Sequence, residues 1–149
     1  MAKYAIEMNR TGHATLPVGS VTAHGTRPRR GKIYDLIFGS EASPADNPFL
    51  WQVQRHTGAG TSTPVTAQPL DPGDAATELL AGEAHTVDVT ATATAFLLSV
   101  ALNQRATFRW VAAPGGELVY PATASNGLHV RTPTMSAVAI SATVHVDEQ

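Results

Sequence analysis

Six histidines, His13, His24, His56, His85, His129 and His145, are the side chains of this chain best suited to acid–base or metal chemistry. A histidine metal site draws its ligands from short patterned spacings such as H-x-H or H-x₃-H, and no pair here has one. A cupin-like metal site would need two close histidines and a carboxylate on neighbouring strands, and His129 and His145 are a pair that could neighbour each other in space. A serine nucleophile needs an elbow of the G-x-S-x-G type, and Gly19-Ser20 and Gly39-Ser40 lack its flanks. Asp35, Glu41, Asp46 and Asp88 could supply paired carboxylates, but isolated acids in strands and turns act mostly as solvated or capping groups. Gly58-Ala59-Gly60-Thr61 opens like a phosphate loop, yet no lysine follows and no helix begins. With no cysteine in the chain, thiolate sites and thiol nucleophiles are excluded. Nucleophile, base and orienting group are never specified together. No catalytic residue, cofactor or metal is therefore expected, and the chain does not read as an enzyme.

The sharpest local feature is a basic, proline-spaced loop, Arg27-Pro28-Arg29-Arg30, running into Lys32. Guanidinium groups on a stiff loop suit bidentate contact with carboxylates or phosphates. Acids at Asp71, Asp74, Glu78 and Glu83 lie far along the chain, so the two regions suit head-to-tail contacts between copies or with a partner. Further contact positions are expected in the N-terminal segment (Lys3, Tyr4, Glu7) and in a polar arm around 57–69 (Thr61, Thr63). Trp51 and Trp110 read as core anchors, because large aromatics dominate sandwich cores. A sugar-binding platform would need more exposed rings than a 6% aromatic content supplies.

The elements that must carry these residues are strands. Tyr4, Ile6 and Met8 alternate with Lys3, Ala5, Glu7 and Asn9, which predicts an opening strand with one wet face. Thr15–Ala23 contains Pro17 and Gly19 and reads as an edge or bulged strand. Lys32–Ser40 is the expected buried strand of the first half. In the next strand Phe49, Trp51 and Val53 face opposite to Leu50, Gln52, Gln54 and His56. Asp71–Gly82 is the one expected helix, short, capped by Asp74 and stopped by Gly82. Strands return over Thr86–Ala93, Ala95–Leu102 and Thr107–Ala112, then, after a Pro114-Gly115-Gly116 turn, over Glu117–Tyr120. Leu128–Thr132 and Met135–Val146 close the chain, the last with Val138, Ile140, Ala142, Val144 and Val146 on one face. Eight to ten strands between turn signals predict an all-β fold: a two-sheet antiparallel sandwich of single jelly-roll type with one short helix.

The 149 residues suffice for one domain with its own core. Only 15% of them are charged, against about 25% in ordinary proteins, with Ala, Thr, Ser, Gly and Pro in their place. A surface so poor in charge is weakly protected against association, which points to partners covering part of it. The net charge of −2 creates no field favouring nucleic acid or an anionic membrane. No apolar run reaches the ~18–20 residues of a membrane span, and the N-terminus lacks the apolar core of a signal peptide.

Several stretches resemble small virion proteins of tailed bacteriophages, the jelly-roll decoration (cement) proteins of the head. They are Arg27-Pro28-Arg29-Arg30-Gly31-Lys32-Ile33-Tyr34-Asp35-Leu36, Phe49-Leu50-Trp51-Gln52-Val53-Gln54-Arg55, Leu102 through Leu118, and Pro121 through Leu128. The likeness is one of whole-chain layout and contains no catalytic signature. It implies a homo-trimer bound to the major capsid protein on the outer surface of the virion, assembled in the host cytoplasm, with no nucleic-acid or membrane partner. Two other functions fit a sandwich of this kind: a phage tail or receptor- or glycan-binding β module, and a cupin-like metal enzyme.

Overall fold

The computed structural model describes residues 1–134 and 137–149. The strands, in chain order, are β1 (Ala2–Thr11), β2 (Gly19–Thr22), β3 (Gly31–Ser40), β4 (Pro48–Gly58), β5 (Thr61–Val65), β6 (Gln68–Pro69), β7 (Leu80–Val87), β8 (Thr90–Asn103), β9 (Phe108–Val111), β10 (Leu118–Tyr120), β11 (Gly127–Arg131) and β12 (Ala139–Glu148). All their pairings are antiparallel.

The chain pairs first with last. β1 takes β12, β2 takes β11, β3 takes β9 and β10, and β4 takes β8. These pairs fall alternately into two sheets. One sheet runs β10-β3-β12-β1-β6, with β9 also on β3, and the other runs β5-β7-β2-β11-β4-β8. A long antiparallel ribbon wound in this way is the jelly roll expected from the strand spacing. The inserted strands β5, β6 and β7 widen both sheets on the side away from β8.

Alternation sets the core, as the sequence predicts. Tyr4, Ile6 and Met8 of β1 and Ile140, Ala142, Val144 and Val146 of β12 are buried beside Ile33, Leu36 and Phe38 of β3. From the facing sheet come Phe49, Trp51, Val53, Leu128 and Val130. Phe38 and Trp51 stack across the gap, with ring centroids 4.5 Å apart and planes within 4°, so Trp51 is the core anchor expected of it. Trp110 is half-buried against the same core. The Pro114-Gly115-Gly116 turn forms, with Gly115 at φ +82°, a conformation glycine adopts without steric cost. Met135 and Ser136, at the start of the predicted closing strand, lie outside the described residues.

Three expectations are corrected. The helix over 71–82 does not form. Asp71 accepts a hydrogen bond on Oδ1 from the Gly73 N–H at 2.9 Å and on its carbonyl from the Asp74 N–H at 3.0 Å, which closes a turn. Leu80 onward then ladders with both β2 and β5, and two ladders outweigh a two-turn helix that nucleates poorly. Gly82 serves close packing instead of helix termination, since a Cβ there would lie 1.9 Å from Ser62 Oγ.

The polar arm around 57–69 is not a loop either. Thr61–Val65 ladders with β7 and Gln68–Pro69 with β1; backbone pairing holds this segment even though its side chains bury little. β2 is an interior strand between β7 and β11, buried throughout, with Pro17 before it. Along β4 the alternation runs as expected: Gln54 and His56 point to the face opposite Trp51 and Val53, and the pairing with β11 is unbroken from Gln52 to His56. What the sequence did not show is that this second face is buried as well. The shifts in the ladder with β8, at Val53/Gln54 and before His56, place the extra residues in β8, as bulges do.

Candidate functional site

One end of the sandwich gathers pieces that are distant in sequence. The Arg27–Lys32 loop, the first residues of β1, the turn after β6 and the last residues of β12 all meet there. The Gln149 N–H donates to the Arg30 carbonyl (2.9 Å) and the Leu70 N–H to the Lys3 carbonyl (2.8 Å). The Glu78 N–H donates to the Glu148 carboxylate (3.1 Å). Between these segments lies a cleft of ≈ 420 Å³ whose lining includes Met1, Tyr4, Arg29, Glu78 and Glu148.

Of the ten Lys and Arg residues of the chain, Lys3, Arg27, Arg29, Arg30 and Lys32 belong to this end. The acids Asp71, Asp74, Glu78, Glu117, Asp147 and Glu148 lie on the same segments or on the neighbouring β9–β10 turn. Arg29 and Arg30 are exposed, as are two large apolar side chains, Met1 (83%) and Leu70 (50%). Charge scarce elsewhere is concentrated here.

The residues expected to touch partners divide accordingly. Arg29, Arg30, Lys32 and Lys3 are brought together, with the Lys3 ammonium 5.2 Å above the Tyr34 ring. Arg27 is engaged within the chain, its guanidinium 3.0 Å from Glu78; the loop and the acidic segment, expected to meet between copies, meet inside one molecule. Tyr4 is corrected. It is buried, and its hydroxyl donates to the Ala75 carbonyl at 2.8 Å, because its even-numbered place in β1 faces the core. Glu7 is exposed but lies further along β1, in a groove of ≈ 530 Å³ between β1 and β5. Thr61 and Thr63 are exposed on β5, apart from the charged end.

The histidines fall into separate groups. His145 and His129 are not neighbours, for they stand on different sheets. His145 Nδ1 is 3.2 Å from Asp35 Oδ2, and Arg109 grips the same carboxylate with Nε at 3.0 Å and Nη2 at 2.6 Å. A register shift between β3 and β12 turns Asp35 to this outer face beside Tyr34. The Arg109 guanidinium above all, with His145, lowers the Asp35 pKa against the opposing effect of burial.

His129 instead joins His56 and His85, all three fully buried. The rings of His56 and His129 are 5.5 Å apart. Ser20 Oγ lies 3.0 Å from His85 Nε2, and Thr22 Oγ1 lies 3.0 Å from His56 Nε2. Arg131 Nε donates to His129 Nε2 at 3.0 Å, while its Nη2 donates to Asp88 at 3.2 Å. Burial pushes His56 down to about 4, with the charge of His85 adding to it. Burial, then Arg131, His56 and His85, pushes His129 down to about 2. His85 is lowered as well, by burial first. All three are neutral at pH 7.

Two features make this second interior. β4 turns straight into β5 through residues 59–60, and β7 into β8 through 88–89, although β5 and β8 are opposite edges of one sheet. The sheet must therefore curl at that end until its edges approach, which encloses its outer face. In addition, Gly127 leaves room for His56 to cross β11 and reach Thr22. A Cβ at Gly127 would lie 2.6 Å from His56 Nε2 and 2.1 Å from the Val21 carbonyl oxygen. The hydroxyl–imidazole contact repeats at positions i and i+2 of β2 and gives Nε2 of His85 and of His56 a partner, while Nδ1 of His56, His85 and His129 is buried with no hydrogen-bond partner among the described residues. Among the described residues no cluster of three His, Asp or Glu side chains has the geometry to hold a metal ion. The sequence carried one signal of this cluster, the run of hydroxyls at Ser20 and Thr22 in a strand otherwise too apolar to be wet. No protein-family model, curated protein or solved structure matches this chain.

Proposed function

We propose that the chain is a decoration (cement) protein of a tailed-bacteriophage head, seated on the outer capsid surface and bound to the major capsid protein lattice. The observation that carries this reading is the convergence of half the chain's cations, an exposed Met1 and an exposed Leu70 on one end of an otherwise charge-poor jelly roll. Mixed charge around apolar anchors fixes orientation and register, which a part docking on a repeating lattice requires. Elsewhere Asp35, Arg109 and His145 are engaged with one another, and His56, His85 and His129 are buried.

Such a part works by mass action. Binding the assembled shell in preference to loose subunits stabilises it by RT ln(1 + [L]/Kd) per site. The homo-trimer implied by the resemblance joins three modest footprints into one attachment, raising avidity by roughly 10²–10⁴. Host-cytoplasmic assembly onto the virion follows from the same reading.

The test is co-sedimentation of the purified protein with undecorated heads. The unaltered protein is expected to pellet with heads and to raise their resistance to heat. Reversing Arg27, Arg29 and Arg30 to Glu is expected to weaken attachment at least tenfold while the far-ultraviolet spectrum stays unchanged. Protein that stays in the supernatant at micromolar concentration, or a reversed variant that binds equally well, overturns the reading.

A further inference from the structure

The four sheet edges are unequal. β6 has two residues and ends in Pro69, β5 has five and contains Pro64, and the edge beyond β3 is split between the four-residue β9 and the three-residue β10. Short edges and edge prolines are the usual protections against strand addition. β8 has neither. It runs fourteen residues, Thr90–Asn103, with no proline and no charged side chain, and it pairs only with β4 among the described residues.

Its second half is also regular. Thr94 stands at φ 59°, and after the shifts near Gln54 the register with β4 is unbroken from Leu98↔Val53 to Asn103↔Pro48. Leu98, Val100 and Leu102 lie opposite the core residues Val53, Trp51 and Phe49. The intervening Ser99 and Ala101 are exposed and small.

We propose that this edge pairs with the same edge of a second copy, antiparallel about a two-fold axis through Val100. Side chains on one face stay together only if paired residue numbers share parity, so the axis must pass through a residue pair. With Val100 opposite Val100, Leu98 meets Leu102 and Ser99 meets Ala101. The inner pairs are then apolar with apolar or small with small, Leu97 meets Asn103 at each end, and no charge faces a charge. Among the described residues no other edge matches β8 in length, and the β5 edge is interrupted by Pro64, so a copy's own β8 is the complement it fits. The contact is isologous and closes at two copies, which prevents runaway strand addition.

Seven residues, 97–103, make an edge about 23 Å long and on the order of seven ladder hydrogen bonds, within the 10 ± 5 of a standard interface. The two sheets become one continuous sheet, and the half-exposed Leu98, Val100 and Leu102 gain cross-strand partners. This pairing needs nothing from the capsid. Beside a trimer built through other faces, it links neighbouring trimers at a local two-fold.

Cross-linking tests it cleanly, since the chain has no cysteine of its own. Directly opposed residues have Cβ atoms about 4.5–5.5 Å apart, near disulfide range. Val100→Cys is expected to give a cross-linked dimer on mild oxidation at micromolar concentration, at least tenfold faster than Thr123→Cys on a distant exposed turn. Ala101→Lys, at an exposed position that leaves the fold intact, is expected to weaken association in sedimentation at least tenfold by bringing like charges together. Equal cross-linking rates for the two cysteine variants overturn the proposal. So does association unchanged by Ala101→Lys. Loss of head binding in Ala101→Lys without any Val100–Val100 cross-link would assign the edge to a foreign strand and overturn it equally.

Discussion

Acidification from pH 7.5 to pH 5.0 should destabilise this protein through its buried histidines. In the unfolded chain an imidazole titrates near 6.5; in the fold His56 is pushed down to about 4 and His129 to about 2. Between those values the unfolded chain binds protons that the folded one refuses. Stability is therefore complete above pH 6.5 and falls as the pH drops below it. At pH 5.0 each of the two has lost about 1.5 pH units' worth, or ~2 kcal/mol at 1.36 kcal/mol per unit. Together they cost about 4 kcal/mol, a large part of the 5–15 kcal/mol typical of a domain. His85, shifted in the same direction, adds to the loss. Asp35 does not enter in this window, because the Arg109 guanidinium lowers its pKa from an ordinary carboxylate value that already lies below pH 5. At about 2–4 °C per kcal/mol for a chain of this size, the melting temperature should drop by roughly 8–16 °C. Calorimetric melts at the two pH values measure this. Imidazole resonances report the protonation state, and those of His56 and His129 should keep their neutral-form shifts at pH 5.0. A melting temperature unchanged over this range, or imidazolium shifts for both residues in the folded protein at pH 5.0, would refute the account of the cluster.

Gly127→Ala should cost about 2–3 kcal/mol, as overpacking of a close-packed site does; its new Cβ meets the Val21 backbone oxygen, which cannot move aside. Urea unfolding measures the loss, and a change under 0.5 kcal/mol would mean that the His56–Thr22 crossing tolerates the methyl group. Trp51→Ala should cost about 3–5 kcal/mol by removing the ring stacked on Phe38 across the sandwich, read in the same assay. Asp35→Asn should lower the melting temperature and free the Arg109 side chain, visible as loss of slow exchange at its Nε–H. An unchanged melt would show that the outer-face cluster contributes nothing to the fold.

Much of the architecture was legible along the chain. Tyr4-x-Ile6-x-Met8 and Ile140-x-Ala142-x-Val144-x-Val146 state their buried face in plain alternation, and Trp51 its place in the core, because a strand's side-chain period of two is a local property. Asp71–Gly82 misled because Asp74 and Gly82 have the types of a cap and a stop, while the ladders that claim Leu80 onward come from β2 and β5, both distant in sequence. The polar arm misled for the same reason, since backbone hydrogen bonds carry no mark in side-chain composition.

Residue types and spacing alone thus determined that the chain is mostly strand, that its two sheets enclose an aliphatic core around Trp51, and that its charge is sparse. Only the folded chain decided which charges meet. Arg27 finds Glu78 and Asp35 finds Arg109 and His145, while His56 reaches Thr22 over Gly127. Each of these contacts joins segments that only the winding of the jelly roll brings together. One depends on a one-residue shift of register, beside Asp35 in β3. A shift of one residue reverses the face a side chain presents, and it is settled by the partner strand, not by the strand's own sequence.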